Sequence, residues 1–260
     1  MKYNRFLPLI VPFFVFVLFE AFYFNPGLLY LSMGFILLIL LFASRQLILA
    51  SSIKERWYNI ILLPLYLSFS TILLSILVPL STFFAKLLVQ GLFLLVLFLL
   101  YYYYRNLYLY LLSPKKYIKG SLENFSLYVN YLSVYLMTSA IFGMSFFLNI
   151  SNWTLMLFML FFITAVIYEA MWAHRILNTN SYFYIVLVCL CLFEFAWAIS
   201  FLTLSYYILG LLMAIAYYII MGLVRFHLLN ILNKKIIKTF LSLGFVSILF
   251  VLLTARWIEL

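Results

Sequence analysis

The sequence predicts an all-α polytopic bundle that threads a membrane about nine times. Three observations lead there. Of 260 residues, 69% are hydrophobic and only 8% are charged, whereas a soluble domain carries about 25% charged residues. So few charges cannot cover the surface of a water-soluble fold of this length, which makes lipid the solvent. Apolar runs near the roughly 20 residues that a membrane helix needs recur along the whole chain. The Lys and Arg between those runs fall on alternate loops, as the positive-inside rule requires of cytoplasmic segments.

The first run, 6–24, comes after Lys2 and Arg5 and has the opening of a signal peptide. Beyond Glu20 the chain reads Ala-Phe-Tyr-Phe-Asn-Pro, with no small-residue cleavage site, so the run is read as a retained helix. The turn Asn25-Pro26-Gly27 leads into 27–44. The third run, 58–79, contains Pro64 and sets Ser68, Thr71 and Ser75 on one face. Pro79-Leu80-Ser81 then turns the chain into 82–103. Tyr101 to Tyr104, Tyr108 and Tyr110 extend this fourth helix along the headgroups until Ser113-Pro114 stops it. Residues 124–168 carry no charge and are too many for one span, and the polar break at 149–153 divides them into 125–148 and 153–173. Three further runs, 182–201, 204–224 and 238–255, complete the set.

Alternating the loops places fourteen of the sixteen Lys and Arg on one side and leaves Lys86 and Arg256 for the other. The N-terminus is therefore expected in the cytoplasm and the C-terminus outside. Tryptophan prefers the membrane interface. Trp57 and Trp172 fall near inner ends, and Trp153, Trp197 and Trp257 near outer ends. An internal duplication is also suggested. Lys115-Lys116-Tyr117-Ile118-Lys119 matches Lys234-Lys235-Ile236-Ile237-Lys238, and Arg56 and Asn59 match Arg175 and Asn178 at the same offset. The halves would be 1–119 and 120–238, with an extra helix in 239–260, all within one integral membrane domain.

Several function classes are disfavoured. The chain has no Asp, and its acids are Glu20, Glu55, Glu123, Glu169, Glu194 and Glu259. Mg-dependent and two-metal chemistry need carboxylate clusters. Cys189 and Cys191 are two apart, which points them about 200° apart on a helix, so they read as small buried apolar residues and not as a bridge or metal pair. No metal, cofactor or catalytic residue is predicted. The net charge of +10 is read as topology signal and attraction to anionic headgroups, not as nucleic-acid binding. The glycosylation patterns at Asn149 and Asn152 lie too close to the membrane to carry weight.

The candidate site residues are the polar groups inside spans, where they are costly and seldom face lipid. Glu194 is the sharpest, near the middle of the seventh helix with Cys191 and Ala198 on its face. It reads either as a proton- or cation-carrying carboxylate or as a tie between helices. Glu20 and Lys86 lie at similar depth, with Gln90 one turn beyond Lys86. A Glu20–Lys86 or Lys86–Glu194 pair would spare each charge a lone burial, and snorkelling to the surface is the competing reading. Glu123, Ser126, Asn130 and Ser133 form one polar face of the fifth helix. Ser139 and Gly143 give that helix a small-residue pair suited to close packing. Glu169, flanked by Ala165 and Ala173, sits near the inner end of the sixth, with His174 and Arg175 just beyond it. Arg105, Lys115, Lys116, Arg225 and His227 form a candidate headgroup- or phosphate-contacting set.

Two segments add a resemblance. Residues 194–202, Glu-Phe-Ala-Trp-Ala-Ile-Ser-Phe-Leu, and the later Tyr217-Tyr218 with 222–228, Gly-Leu-Val-Arg-Phe-His-Leu, resemble segments of multi-pass membrane proteins from candidate-phyla (Patescibacteria) bacteria. The likeness extends over most of the chain. It implies a bacterial cytoplasmic (inner) membrane and carries no activity with it.

A transport-like or lipid-associated function is the leading reading. A non-catalytic assembly or scaffold subunit, partnered by another membrane protein, is the alternative. A lipid-linked transferase comes third, because no acid–base constellation accompanies the basic residues.

Overall fold

A computed structural model describes residues 5–51, 57–79, 82–148, 150–177 and 181–255. Among them lie nine α-helices: α1 (Leu7–Phe24), α2 (Leu29–Leu49), α3 (Trp57–Leu77), α4 (Phe83–Leu112), α5 (Ser121–Leu148), α6 (Asn152–Ala173), α7 (Ser181–Ile199), α8 (Tyr206–Leu228) and α9 (Lys234–Thr254). All nine are long and apolar enough to cross a membrane. A helix satisfies its own backbone polar groups, which is what a chain in hydrocarbon requires. The chain is a multi-pass integral membrane protein. Of the residues discussed above, Lys2, Glu55, Arg56, Leu80, Ser81, Asn149, Asn178, Arg256, Trp257 and Glu259 lie outside the described residues, as do the side chains of Trp57 and Asn152.

The helix ends are written in local chemistry. Asn25 closes α1, and its side chain accepts from the Gly27 amide at 3.1 Å, turning the chain into the short 3₁₀ segment Pro26–Leu28. Thr82 caps α4 by accepting from the Ala85 amide at 3.2 Å. With 30 residues, α4 spans about 45 Å and outruns a hydrocarbon core of about 30 Å. It ends at Ser113, where Pro114 opens a 3₁₀ turn, as the Tyr-rich tail and the Ser-Pro step predict. Gly120, at φ +86°, turns the chain into α5.

The helices α6 and α8 stop in the same way. Arg175 and Asn230 take left-handed φ values of 58° and 57°. The amide of Ile176 reaches the Met171 carbonyl and that of Ile231 reaches Phe226, each at 3.1 Å. These are Schellman closures, which satisfy carbonyls the helix leaves orphaned.

Two compact units divide the chain, Met1–Val129 and Asn130–Leu260. In the first, α1 packs on both α2 and α4, and α3 packs on α2 and α4, so the four helices form a closed cycle. Its core includes Phe19, Ile36, Leu63 and Phe93, all buried, with Phe19 and Phe93 in ring contact at 5.0 Å. Pro64 has no N–H, so the Ile60 carbonyl loses its helical donor. The Tyr103 hydroxyl of α4 donates to that carbonyl at 2.8 Å. On α3, Ser68, Thr71 and Ser75 donate to the carbonyls of Pro64, Leu67 and Ile72. Their polar face is spent on its own backbone.

In the second unit, α7 packs on α6 and α8, and α9 packs on α8. α5 meets α8 where Gly210 lies under Ser139. A Cβ on Gly210 would press into the Ser139 Oγ and stand 2.8 Å from its backbone N. The small-residue character of Ser139 is thus used in a close helix crossing. Phe240 of α9 covers Gly222 of α8, and Ile219 of α8 covers Gly244 of α9. Gly244 is the buried residue of α9, whose Leu241, Phe245 and Phe250 stay exposed.

Candidate functional site

The second unit buries one carboxyl completely. Glu169 of α6 has no exposed surface, and Asn130 of α5 is 1% exposed. The Asn130 Nδ2 donates to the Glu169 Oε2 at 2.5 Å. One turn along α5, on the same face, Ser133 is also fully buried. The Glu169 Oε1, the Asn130 Oδ1 and the Ser133 Oγ have no hydrogen-bond partner. Tyr217 of α8, also buried, lies within electrostatic reach of the Glu169 carboxyl. Two helices, α5 and α6, therefore meet at one acidic group, which Tyr217 of α8 senses electrostatically. An ionised carboxylate in such a place costs several kcal/mol unless it is paired, and each orphaned buried acceptor adds about 1–3 kcal/mol.

Local sequence explains the placement. Ser126, Asn130 and Ser133 recur at spacings of four and three, one helical face, and all three are buried. Glu123, which opens that polar face, instead accepts from the Tyr117 hydroxyl at 2.9 Å and is partly exposed. Ala173 beside Glu169 is buried, and the small side chain leaves the carboxyl room among its neighbours.

Glu194 is placed differently. It is exposed on α7, together with Cys191 and Ala198, while Leu192, Ala196 and Ile199 form the buried side of that helix. The expectation of two buried cysteines holds for one of them. Cys189 is buried and its Sγ lies 3.3 Å from the Thr164 Oγ1, whereas Cys191 is exposed. The cause is the same 200° offset that rules out a bridge: one of the two must face away from the bundle. In the first unit, the Glu20 Oε2 accepts from the Gln90 Nε2 at 3.1 Å in a partly buried pair. Lys86 is exposed near the start of α4, one turn from Gln90.

The basic candidates stand at helix ends. Arg105, Lys115 and Lys116 are exposed where α4 runs into its terminal turn. In the second unit, the Arg225 Nη1 lies 3.4 Å from the His174 Nε2, and its guanidinium sits 5.1 Å from the centre of the Phe226 ring. The His227 Nε2 lies 2.9 Å from the Tyr184 hydroxyl. These two contacts join the ends of α6, α7 and α8. Sequence reasoning misses them, and it misses Tyr217, because no spacing rule links residues on separate helices.

Among the described residues, no three His, Cys, Asp or Glu side chains group as a metal would need. No family model, curated protein or solved structure matches the chain.

Proposed function

We propose that this is a transport-like protein of the bacterial cytoplasmic membrane, in which Glu169 carries a positive charge, a proton or a small cation, through the second unit. The fully buried carboxyl with one unpartnered oxygen is the observation that carries this reading. Intramembrane ionisable groups of this kind mark ion pathways and proton relays. The N-terminus is cytoplasmic and the C-terminus outside, as the distribution of Lys and Arg requires. Glu169 then lies four residues from the cytoplasmic end of α6, about 6 Å in. Arg105, Lys115, Lys116, Arg225 and His227 contact anionic headgroups on that face. The helix adjacencies of the first unit, α1 with α2 and α4, are matched by α5 with α6 and α8 in the second. That order fits a duplicated transporter.

The test is purified protein in vesicles under an imposed proton or sodium gradient. Dissipation faster than in protein-free vesicles supports the reading. Dissipation at the protein-free rate under both gradients contradicts it.

One observation favours the second reading, a subunit of a larger membrane assembly. Glu194 is exposed on an otherwise apolar face, and a carboxyl there is better served by a helix that brings a donor or cation than by lipid.

A further inference from the structure

We infer that Glu169, Asn130 and Ser133 form a binding site for a single alkali-metal cation, an inference that rests on the charge-carrying reading above and names its cargo. The three side chains are each no more than 1% exposed. They contribute three unpartnered oxygens: a carboxylate Oε1, an amide Oδ1 and a hydroxyl Oγ. All three can accept, the Ser133 hydroxyl alone can also donate, and a set this rich in acceptors lacks a positive centre. A proton on Oε1 adds one donor to that hydroxyl, and each donor serves a single acceptor. A cation draws on all three at once, since hard cations gather several oxygens around one centre.

The donor set also selects the ion. Oxygen alone, with no sulfur or imidazole, suits hard cations and disfavours soft transition metals. A single carboxylate balances one positive charge. A divalent ion would leave a net charge among apolar helices, which is strongly disfavoured. The spacing of three on α5 sets Asn130 and Ser133 side by side, with Cβ atoms about 5–6 Å apart. The hydrogen bond from Asn130 brings Glu169 of α6 against Asn130, one turn from Ser133. Rotating the Asn130 amide by half a turn exchanges Nδ2 for Oδ1. The same residue can then donate to the carboxyl alone or accept the cation beside it.

The experiment is thermal unfolding of the detergent-purified chain in choline chloride against lithium, sodium and potassium chlorides, at constant ionic strength and at several fixed pH values. At least one alkali salt is expected to raise the melting temperature saturably, by roughly several degrees at saturation. Glu169→Gln is expected to abolish that shift. Ser133→Ala, a milder change, is expected to weaken the apparent affinity by about tenfold, as for one lost ligand. Equal melting in choline and all three alkali salts overturns the inference, as does a melting temperature that follows pH alone. A folded Ser133→Ala protein with wild-type cation affinity also overturns it. Cation binding without ion flux in vesicles would sink the transport reading and leave the site standing. Flux without cation-dependent melting would do the reverse.

Discussion

The Tyr103 hydroxyl donates to the Ile60 carbonyl at 2.8 Å, four residues before Pro64, the residue that cannot supply the helical N–H. A proline inside a membrane helix is tolerated where a neighbour satisfies the freed carbonyl, and here that neighbour is the hydroxyl of a buried tyrosine on α4. Tyr103→Phe is expected to cost about 1–3 kcal/mol, the range for a stranded buried acceptor. In a Pro64→Ala background the helix regains its own donor, and the same change is expected to cost measurably less. Unfolding midpoints of the four proteins form a double-mutant cycle, and equal costs in the two backgrounds would refute the assignment.

Gly210 lets α8 approach α5 closely. Gly210→Ala drives a methyl into the Ser139 Oγ and sets it 2.9 Å from the Ser139 Cα, so the expected loss is about 1–3 kcal/mol, as for an overpacked core. Removing the hydroxyl does not remove the backbone clash, and Ser139→Gly is expected to rescue only in part. Gly34→Ala and Gly91→Ala meet nothing within 4 Å. They are expected to be neutral or stabilising through helix propensity. Melting temperatures of the three glycine variants check the order.

The two cysteines should separate in reactivity. Cys191 is exposed and Cys189 is buried. An apolar thiol reagent applied to the folded protein is expected to label Cys191 about tenfold faster or more. Peptide mass spectrometry reads the two sites independently. Equal labelling, or Cys189 first, would mean that α7 is rotated and that Glu194 faces inward.

Compartment-sensitive reporters fused to the two ends are expected to report opposite faces, cytoplasmic at the N-terminus and external at the C-terminus. Both ends reporting the same face would require an even number of crossings and would remove the assigned orientation.

The helices were legible in the sequence because lipid imposes long apolar runs, and α4 continues to Leu112 as the tyrosines and Ser113-Pro114 indicate. Which face of a helix is buried was less legible. Lipid tails are as apolar as a helix interface, so a uniformly greasy helix carries little signal about its orientation. Cys191 and Ala198 beside Glu194 have the small-residue look of a packing face, yet α7 buries Leu192 and Ala196 instead. The polar face of α5 was the stronger guide, since Ser126, Asn130 and Ser133 are all buried. The meeting of Asn130 with Glu169 depends on how α5 and α6 pack, and one chain's spacing does not encode that.

The most direct measurement takes Glu169→Gln and reads ion flux in vesicles and melting temperature in an alkali-free choline buffer on the same preparation. Gln keeps the shape and still accepts from Asn130, but it cannot carry the charge. Flux is expected to fall to the protein-free level while that melting temperature stays within a few degrees of wild type or rises, because an unbalanced acidic group has been removed from the interior. Flux at the wild-type rate would contradict a charge carrier at Glu169. A collapse of the melting temperature would identify the residue as a tie between α5 and α6 instead.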